Sequence, residues 1–201
     1  FQSFIKGGYY DQKSIEAGLR ITGTGAEYFN GSSSVPSTIQ NAVITAGERV
    51  AAGGCTSFWN ENEGRTETVV DIDIKKMLDP DGNGNSSDKI WPKNGIIYAD
   101  TPVRIINGEE LPGPVTIVSP YNIYTKSDFN MELPTQSDYN RHISDQSCTK
   151  KQPAAICSTS RVYFLSASWK DSEHPSGTRV MKYANDPKKT GYTNDALNVM
   201  E

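Results

Sequence analysis

Apolar residues recur in short stretches of about four positions rather than at helical spacing, and turn-forming residues separate these stretches. The clearest stretches lie at 96–99, 103–106, 115–118 and 122–125, and two more follow at 154–157 and 161–166. Asn107-Gly108 and Pro112-Gly113-Pro114 lie between stretches, and such residues favour tight turns. This alternation of short β-prone stretches and turns predicts an all-β fold.

Two all-β architectures fit the pattern. In a parallel β-helix, each coil has about three short strands, and successive coils stack to form the core. In a β-sandwich, two sheets pack face to face. Periodicity does not distinguish them. We expect a parallel β-helix-like stack of short strands with long loops, and a β-sandwich is the alternative.

The chain of 201 residues suits one large domain or a pair of small ones. We predict a single β-rich domain over 1–201, with the polar stretch at 131–153 inserted as a long loop. The first residues, Phe1 to Gly8, are too short and polar a stretch for a signal peptide. We therefore interpret the chain as part of a longer protein or filament.

The charge pattern excludes some partners. The net charge is −4, and the longest basic runs are pairs such as Lys150-Lys151. Nucleic-acid binding needs clustered Lys and Arg, so we expect no nucleic-acid partner. The sequence also lacks a run of about 18 apolar residues, so we expect no membrane span.

The three cysteines are Cys55, Cys148 and Cys157. Cys148 and Cys157 enclose a short loop, which makes them a candidate disulfide if the loop ends meet as in a hairpin. Cys55 could instead pair with either of them, because an odd count fixes no connectivity. The alternative is three buried thiols in a cytosolic protein. We favour an oxidising location, extracellular or at the cell surface, with the periplasm as the alternative.

One segment resembles a calcium-binding loop. Calcium loops place oxygen side chains at positions 1, 3 and 5 and a glycine at position 6, here Gly84. Position 12 is Ile90 rather than Glu, so a shortened loop is required. The alternative is a polar turn that binds no ion. The candidate Ca²⁺ ligands are Asp79, Asp81, Asn83, Asn85 and Asp88.

The sequence offers no convincing catalytic group. The two histidines, His142 and His174, lie in polar segments, and no Gly-x-Ser-x-Gly motif or zinc-ligand pair is present. Asp71 and Asp73 would share one side of a strand, as the paired carboxylates of polysaccharide-cleaving β-helices do. Such spacing is common on any solvated strand, so we expect no enzyme and assign no catalytic residue.

The three tryptophans allow another function. Trp59, Trp91 and Trp169 could stack on sugar rings, which would suit a carbohydrate-binding adhesin. Packing in the core is the interpretation that we prefer.

Several segments resemble the ectodomains of PilX-type bacterial pilus-assembly proteins. The resemblance is best over residues 95–130, where the strand Gly95-Ile96-Ile97-Tyr98 leads to Val103-Arg104-Ile105 and a later strand contains Asn122-Ile123-Tyr124. It is moderate over residues 150–171, which include the Leu-Ser-x-x-Trp ending at Leu165 to Trp169. The polar insertion at 131–153 departs from the family.

The resemblance implies a β-helical surface domain that assembles into, or primes, a type IV-like pilus. In that family the domain follows a hydrophobic amino-terminal helix, which this chain does not contain, and no catalytic residues are carried over. The expected function is that of a non-enzymatic structural or assembly component, with other pilus or envelope subunits or copies of itself as partners. Self-assembly into fibres and carbohydrate binding are alternatives, and a polysaccharide-active enzyme is less favoured.

Overall fold

The computed structural model describes residues 18–29, 35–52, 57–83, 90–130, 152–174 and 198–199. The described residues form mainly short strands in two large sheets and one hairpin, with few short helices. The predicted predominance of β-structure is confirmed. The predicted loop at 131–153 lies outside the described residues, except for its last two positions.

The strands are β1 (Leu19–Thr22), β2 (Gly25–Tyr28), β3 (Val43–Ile44), β4 (Ser57–Asn60), β5 (Arg65–Thr68), β6 (Val70–Asp73), β7 (Ile96–Ala99), β8 (Val103–Ile106), β9 (Val115–Ser119), β10 (Ile123–Lys126), β11 (Ala154–Ser158), β12 (Val162–Leu165) and β13 (Asn198–Val199). The helices are α1 (Ser37–Ala42), α2 (Ala46–Ala51) and α3 (Ile74–Leu78), and a 3-10 turn covers Asp171–Glu173. None of the described helices is long and apolar enough to cross a membrane.

The chain alternates between the two large sheets from β6 to β12. The five-stranded sheet has the order β11-β9-β7-β1-β2, and the six-stranded sheet has the order β13-β12-β10-β8-β6-β3. Strands β6, β8, β10 and β12 pair in parallel, and so do β1, β7, β9 and β11. Of the four strands at the ends of these sheets, β2, β3 and β13 pair antiparallel and β11 pairs in parallel. From β6 to β12, strands therefore pair with strands of the same sheet and not with their sequence neighbours.

In-register rows of branched apolar residues build the core. Leu19, Ile97 and Ile117 lie side by side in the five-stranded sheet, and each has no exposed surface. Val103 and Ile123 form an equivalent buried pair in the six-stranded sheet. Burial of one such side chain contributes about 1.5–3 kcal/mol, so each row stabilises the fold substantially.

Some of the turns between strands have special backbone conformations. Gly95 has a φ of +67°, and a Cβ there would lie 2.6 Å from the carbonyl oxygen of Pro114, so only glycine fits. Asn107 and Ser127 directly follow β8 and β10, and both adopt positive φ, 53° and 69°. The six-stranded sheet thus ends neighbouring strands with the same left-handed turn.

The six-stranded sheet is covered on both faces. Its inner face contributes to the main core, while its outer face lies beneath the β4–β5 hairpin and the segment that ends at the 3-10 turn. A second hydrophobic cluster there includes Phe58, Tyr124, Tyr163 and Trp169. Most of the buried polar residues that the structure describes lie on this outer face.

Candidate functional site

A row of polar residues crosses the outer face of the six-stranded sheet. Asp71, Arg104, Tyr124 and Tyr163 occupy equivalent positions on β6, β8, β10 and β12. Side chains alternate between the two faces of a strand, so this row lies opposite the core. We call these residues and their hydrogen-bond partners the outer polar layer.

The first half of the outer polar layer is an ionic cluster around Arg104. The Arg104 Nε donates to Asp71 Oδ1 at 2.9 Å, and its Nη2 donates to Asp71 Oδ2 at 3.2 Å and to Asp171 Oδ2 at 3.1 Å. Arg104 is 2% exposed and Asp71 is 1% exposed. These buried groups therefore bond to one another.

Two further side chains complete the cluster. Arg49 of α2 forms an ion pair with Asp71, and its Nη1 lies 3.5 Å from Asp171 Oδ2. The indole Nε1 of Trp169 donates to Asp171 Oδ1 at 3.0 Å. Two guanidinium groups thus face two carboxylates, which leaves the cluster with balanced charge. We call Arg49, Asp71, Arg104 and Asp171 the arginine cluster.

Lys126 lies beside the arginine cluster. Burial lowers the pKa of Lys126, and the Arg104 and Arg49 guanidinium groups lower it further, although Asp171 partly opposes this. Additional positive charge is thus unfavourable here, since the two carboxylates are already paired with arginines.

The second half of the outer polar layer is centred on Tyr124. Its hydroxyl accepts a hydrogen bond from Asn60 Nδ2 at 2.8 Å and donates to Glu67 Oε2 at 3.1 Å. Asn122 Nδ2 also donates to Glu67, at 2.7 Å. Burial raises the pKa of Tyr124 well above its usual range, and the Glu67 carboxylate adds to this shift. The hydroxyl is therefore kept neutral.

Glu63 joins the same network. It accepts from the Tyr163 hydroxyl at 2.8 Å and from Asn122 Nδ2 at 2.9 Å. The Nη2 of Arg65, whose side chain is 55% exposed, lies 2.7 Å from Glu63 and 3.3 Å from Glu67. One amide and one guanidinium therefore hold both carboxylates. We call Asn60, Glu63, Glu67, Asn122, Tyr124 and Tyr163 the tyrosine cluster.

Aromatic contacts connect the two clusters. The rings of Tyr124 and Tyr163 stack at 5.0 Å between centroids. Phe58 of β4 packs edge-to-face on Tyr124 and on Trp169, at 5.3 Å in both cases. Such pairs add about 0.5–1.5 kcal/mol beyond the area that they bury. The hairpin is thus fixed to the sheet by both polar and apolar contacts.

The chemistry available to the outer polar layer is limited by this pairing. A catalytic carboxylate must reach a substrate, whereas Asp71 is 1% exposed and Glu67 is 5% exposed. Glu63 and Glu67 share Asn122 Nδ2 and are therefore close together, as acid pairs are in glycosidases. Both, however, already accept internal hydrogen bonds. Both carboxylates are thus part of the hydrogen-bond network of the outer polar layer.

The two acids singled out in the sequence have separate structural roles. Asp71 belongs to the arginine cluster. Asp73 accepts from Asn107 Nδ2 at 3.0 Å and from the Lys76 backbone N–H at 3.2 Å, which caps α3. The two carboxylates therefore bond to different partners.

The structure describes three of the five candidate calcium ligands. The backbone N–H of Asn83 donates to Asp79 Oδ1, and its Nδ2 donates to Asp81 Oδ2, both at 3.1 Å. Asn85 and Asp88 lie outside the described residues. Within the described ranges, no group of three or more His, Cys, Asp or Glu side chains could hold a metal ion. The calcium site stays a prediction.

The remaining candidates are distributed over the fold. Cys157 is exposed on β11, while Cys148, Cys55 and His142 lie outside the described residues. His174 stacks on Trp169 at 3.8 Å between ring centroids. The candidate disulfide is therefore not tested by the described residues.

The tryptophans differ in environment. Trp169 is 2% exposed and packs in the second hydrophobic cluster, so its ring is not available to a sugar. Trp91 is half-buried and its Nε1 donates to the carbonyl of Pro114 at 2.9 Å. Trp59 is half-buried on β4. Packing accounts for Trp169, as preferred from the sequence.

Sequence reasoning missed most of the outer polar layer. Glu63, Glu67 and Asp171 lie in polar segments where nothing distinguishes them from surface residues. Arg104 could have been recognised from the sequence, because it is the one charged residue in the apolar stretch Val103-Arg104-Ile105-Ile106. A charge within a strand of a stacked sheet requires a buried partner.

Comparisons of the chain with protein-family models, with curated proteins and with solved structures find no match.

Proposed function

We propose that the chain is a non-enzymatic structural or assembly component of a bacterial type IV-like pilus or cell envelope, displayed as an extracellular surface domain. The observation that carries this proposal is the internal pairing of the outer polar layer. Asp71, Arg104 and Glu67 are almost completely buried, and their hydrogen bonds go to other side chains of the same layer. Such a layer stiffens a scaffold and leaves no reactive group free.

The architecture that we propose is a parallel β-helix-like stack. In β6 to β12, strands alternate between the sheets and pair in parallel with equivalent strands. A β-sandwich built from hairpins would pair sequence neighbours antiparallel, so this topology favours the stack. Stacked strands share one continuous core and resist bending, which suits a rigid subunit.

Specificity in this proposal comes from surface shape. The β4–β5 hairpin and the 3-10 turn are held on the six-stranded sheet by the two clusters of the outer polar layer. They therefore present a surface of fixed shape to other pilus or envelope subunits. Binding through this surface requires no proton transfer and no covalent chemistry.

Self-assembly into fibres is the second candidate. Strand β11 lies at the end of the five-stranded sheet, and Ala154, Ala155 and Cys157 on it are exposed. Edge strands with exposed apolar residues pair readily with another chain. Filaments visible by negative stain would favour this candidate over incorporation into a pilus of other subunits.

Antibodies against the domain test the proposed location in the native host. We expect immunogold label on intact cells, and the chain in the surface fraction that mechanical shearing releases. Label that requires permeabilisation of the outer envelope would place the chain in the periplasm instead. Label found only after lysis of the cytoplasmic membrane would contradict the proposal.

A further inference from the structure

Strand β2 lies at one end of the five-stranded sheet. Alternate residues along it direct their backbone N–H and C=O groups away from β1. The N–H of Phe29 bonds to the carbonyl of Gly18 at 3.3 Å, so the backbone groups of Phe29 face β1. Antiparallel pairing alternates along the strand. The N–H and C=O groups of Ala26 and Tyr28 therefore face outward.

The side chain of Gln40 occupies this edge at Ala26. The N–H of Ala26 donates to Gln40 Oε1 at 3.0 Å, and Gln40 Nε2 donates back to the carbonyl oxygen of Ala26. One side-chain amide thus supplies the acceptor and the donor that a residue of an added strand would supply.

The neighbouring sequence allows this close approach. Gly25 has a φ of +144°, and a Cβ at that position would lie 2.8 Å from Gln40 Oε1. Helix α1, which carries Gln40, is anchored in the core by Ile39 and Ala42, which are 3% and 0% exposed. Helix α1 therefore holds the Gln40 amide against β2, and the absence of a side chain at Gly25 leaves room for it.

The opposite end of the same sheet differs. The carbonyl of Pro153 and the N–H of Thr159 bond to β9, at 3.0 and 3.1 Å, so the backbone groups of Ile156 face outward by the same alternation. Among the described residues, no side chain bonds to the backbone of Ile156. In the part of the chain that the structure describes, a side chain thus bonds to the outward backbone at Ala26 and none does so at Ile156.

We propose that Gln40 is an edge cap, a side chain that closes the β2 end of the five-stranded sheet to addition of a strand from a second copy of this chain. Proteins protect sheet edges because unpaired N–H and C=O groups recruit other strands. Addition of a strand would have to displace Gln40 from Ala26. The inference stands independently of the pilus proposal, because it concerns only how copies are kept apart at this edge.

Amide hydrogen exchange in the intact chain tests the cap, with Tyr28 as an internal reference. Both amides face outward on β2, but only that of Ala26 bonds to Gln40. We expect Ala26 to exchange about 2- to 12-fold more slowly than Tyr28, in line with one added hydrogen bond. Equal exchange rates in the unmodified chain would overturn the proposal, and this result does not depend on any variant.

The Gln40→Leu variant then tests the role in assembly. It keeps the side-chain size and removes both hydrogen bonds, and Asn41→Leu, at an exposed position of the same helix, is the matched control. We expect faster Ala26 exchange and concentration-dependent association by light scattering in Gln40→Leu only. If Gln40→Leu does not fold, Gly25→Ala displaces the amide sterically and should give the same two effects. Faster exchange without association would refute the edge cap.

Discussion

Arg104 donates from both terminal guanidinium nitrogens to the two carboxylate oxygens of Asp171, a residue 67 positions further along the chain. This contact joins β8 to the 3-10 turn on the outer face of the six-stranded sheet. Because Arg104 is buried and also pairs with Asp71, the contact sets both the charge balance and the position of the turn.

Removal of the Asp171 carboxylate should strongly destabilise the fold. In Asp171→Ala, buried Arg104 loses one of its two acidic partners, and we expect the free energy of unfolding to fall by about 3–5 kcal/mol in urea titrations. Glu173→Ala is the matched control, because Glu173 is on the same 3-10 turn and its ion pair with Lys170 is exposed. The control should cost less than about 1 kcal/mol. Similar losses in both variants would mean that the arginine cluster does not stabilise the turn.

The Tyr124 hydroxyl should contribute measurably to stability. Tyr124→Phe keeps the ring contacts with Phe58 and Tyr163 but leaves Asn60 and Glu67 each without one hydrogen bond. We expect a loss of about 1–3 kcal/mol in the free energy of unfolding. Tyr121→Phe, at a position that is 45% exposed, should be close to neutral. A neutral Tyr124→Phe would indicate that water replaces the hydroxyl.

Alkaline pH should destabilise the protein through the buried tyrosine. Burial raises the pKa of Tyr124 in the folded state, so above about pH 10 the unfolded chain ionises this tyrosine first. The folded state then binds more protons than the unfolded state, and stability falls by up to about 1.4 kcal/mol per pH unit for this group. The contribution of the neutral Tyr124 hydroxyl to stability is fully present below about pH 10. In urea titrations from pH 8 to 11.5, Tyr124→Phe should show a shallower decline, and parallel declines would contradict this assignment.

The calcium hypothesis predicts a binding heat. Titration of the intact chain with Ca²⁺ should give heat at millimolar ion or below and raise the melting temperature, because ligand that binds only the folded state stabilises it. The Asp79→Asn, Asp81→Asn double variant should lose both effects, whereas Asp128→Asn, at another exposed acid, should retain them. No heat at millimolar Ca²⁺ would support a plain polar turn instead.

Much of the central strand pattern could be predicted from the sequence. The stretches at 96–99 and 103–106 coincide with β7 and β8, and the stretch at 122–125 is displaced by one residue from β10. Turn chemistry accounts for this success, because Asn107-Gly108 and Pro112-Gly113-Pro114 limit where a strand can extend. The stacking of equivalent strands was consistent with the pattern but was not determined by it.

The hairpin and the outer polar layer could not be predicted in the same way. Strand β5 is Arg65-Thr66-Glu67-Thr68, a polar sequence without an apolar alternation, and only its packing on the six-stranded sheet makes Glu67 a buried residue. The contact between Arg104 and Asp171 spans two separate parts of the chain. Local pattern carries no information about such pairing, which depends on the tertiary register of β6, β8 and β10.

The most direct test of the central claim is an isosteric change of the two carboxylates that share Asn122 Nδ2. Glu63→Gln, Glu67→Gln keeps the shape and the acceptor oxygens of the tyrosine cluster but removes acid, base and nucleophilic chemistry. If the domain acts by shape alone, a folded double variant should restore surface assembly to a deletion strain of the native host at the wild-type level, quantified by immunogold labelling. Loss of surface assembly by the folded variant would contradict a purely structural function.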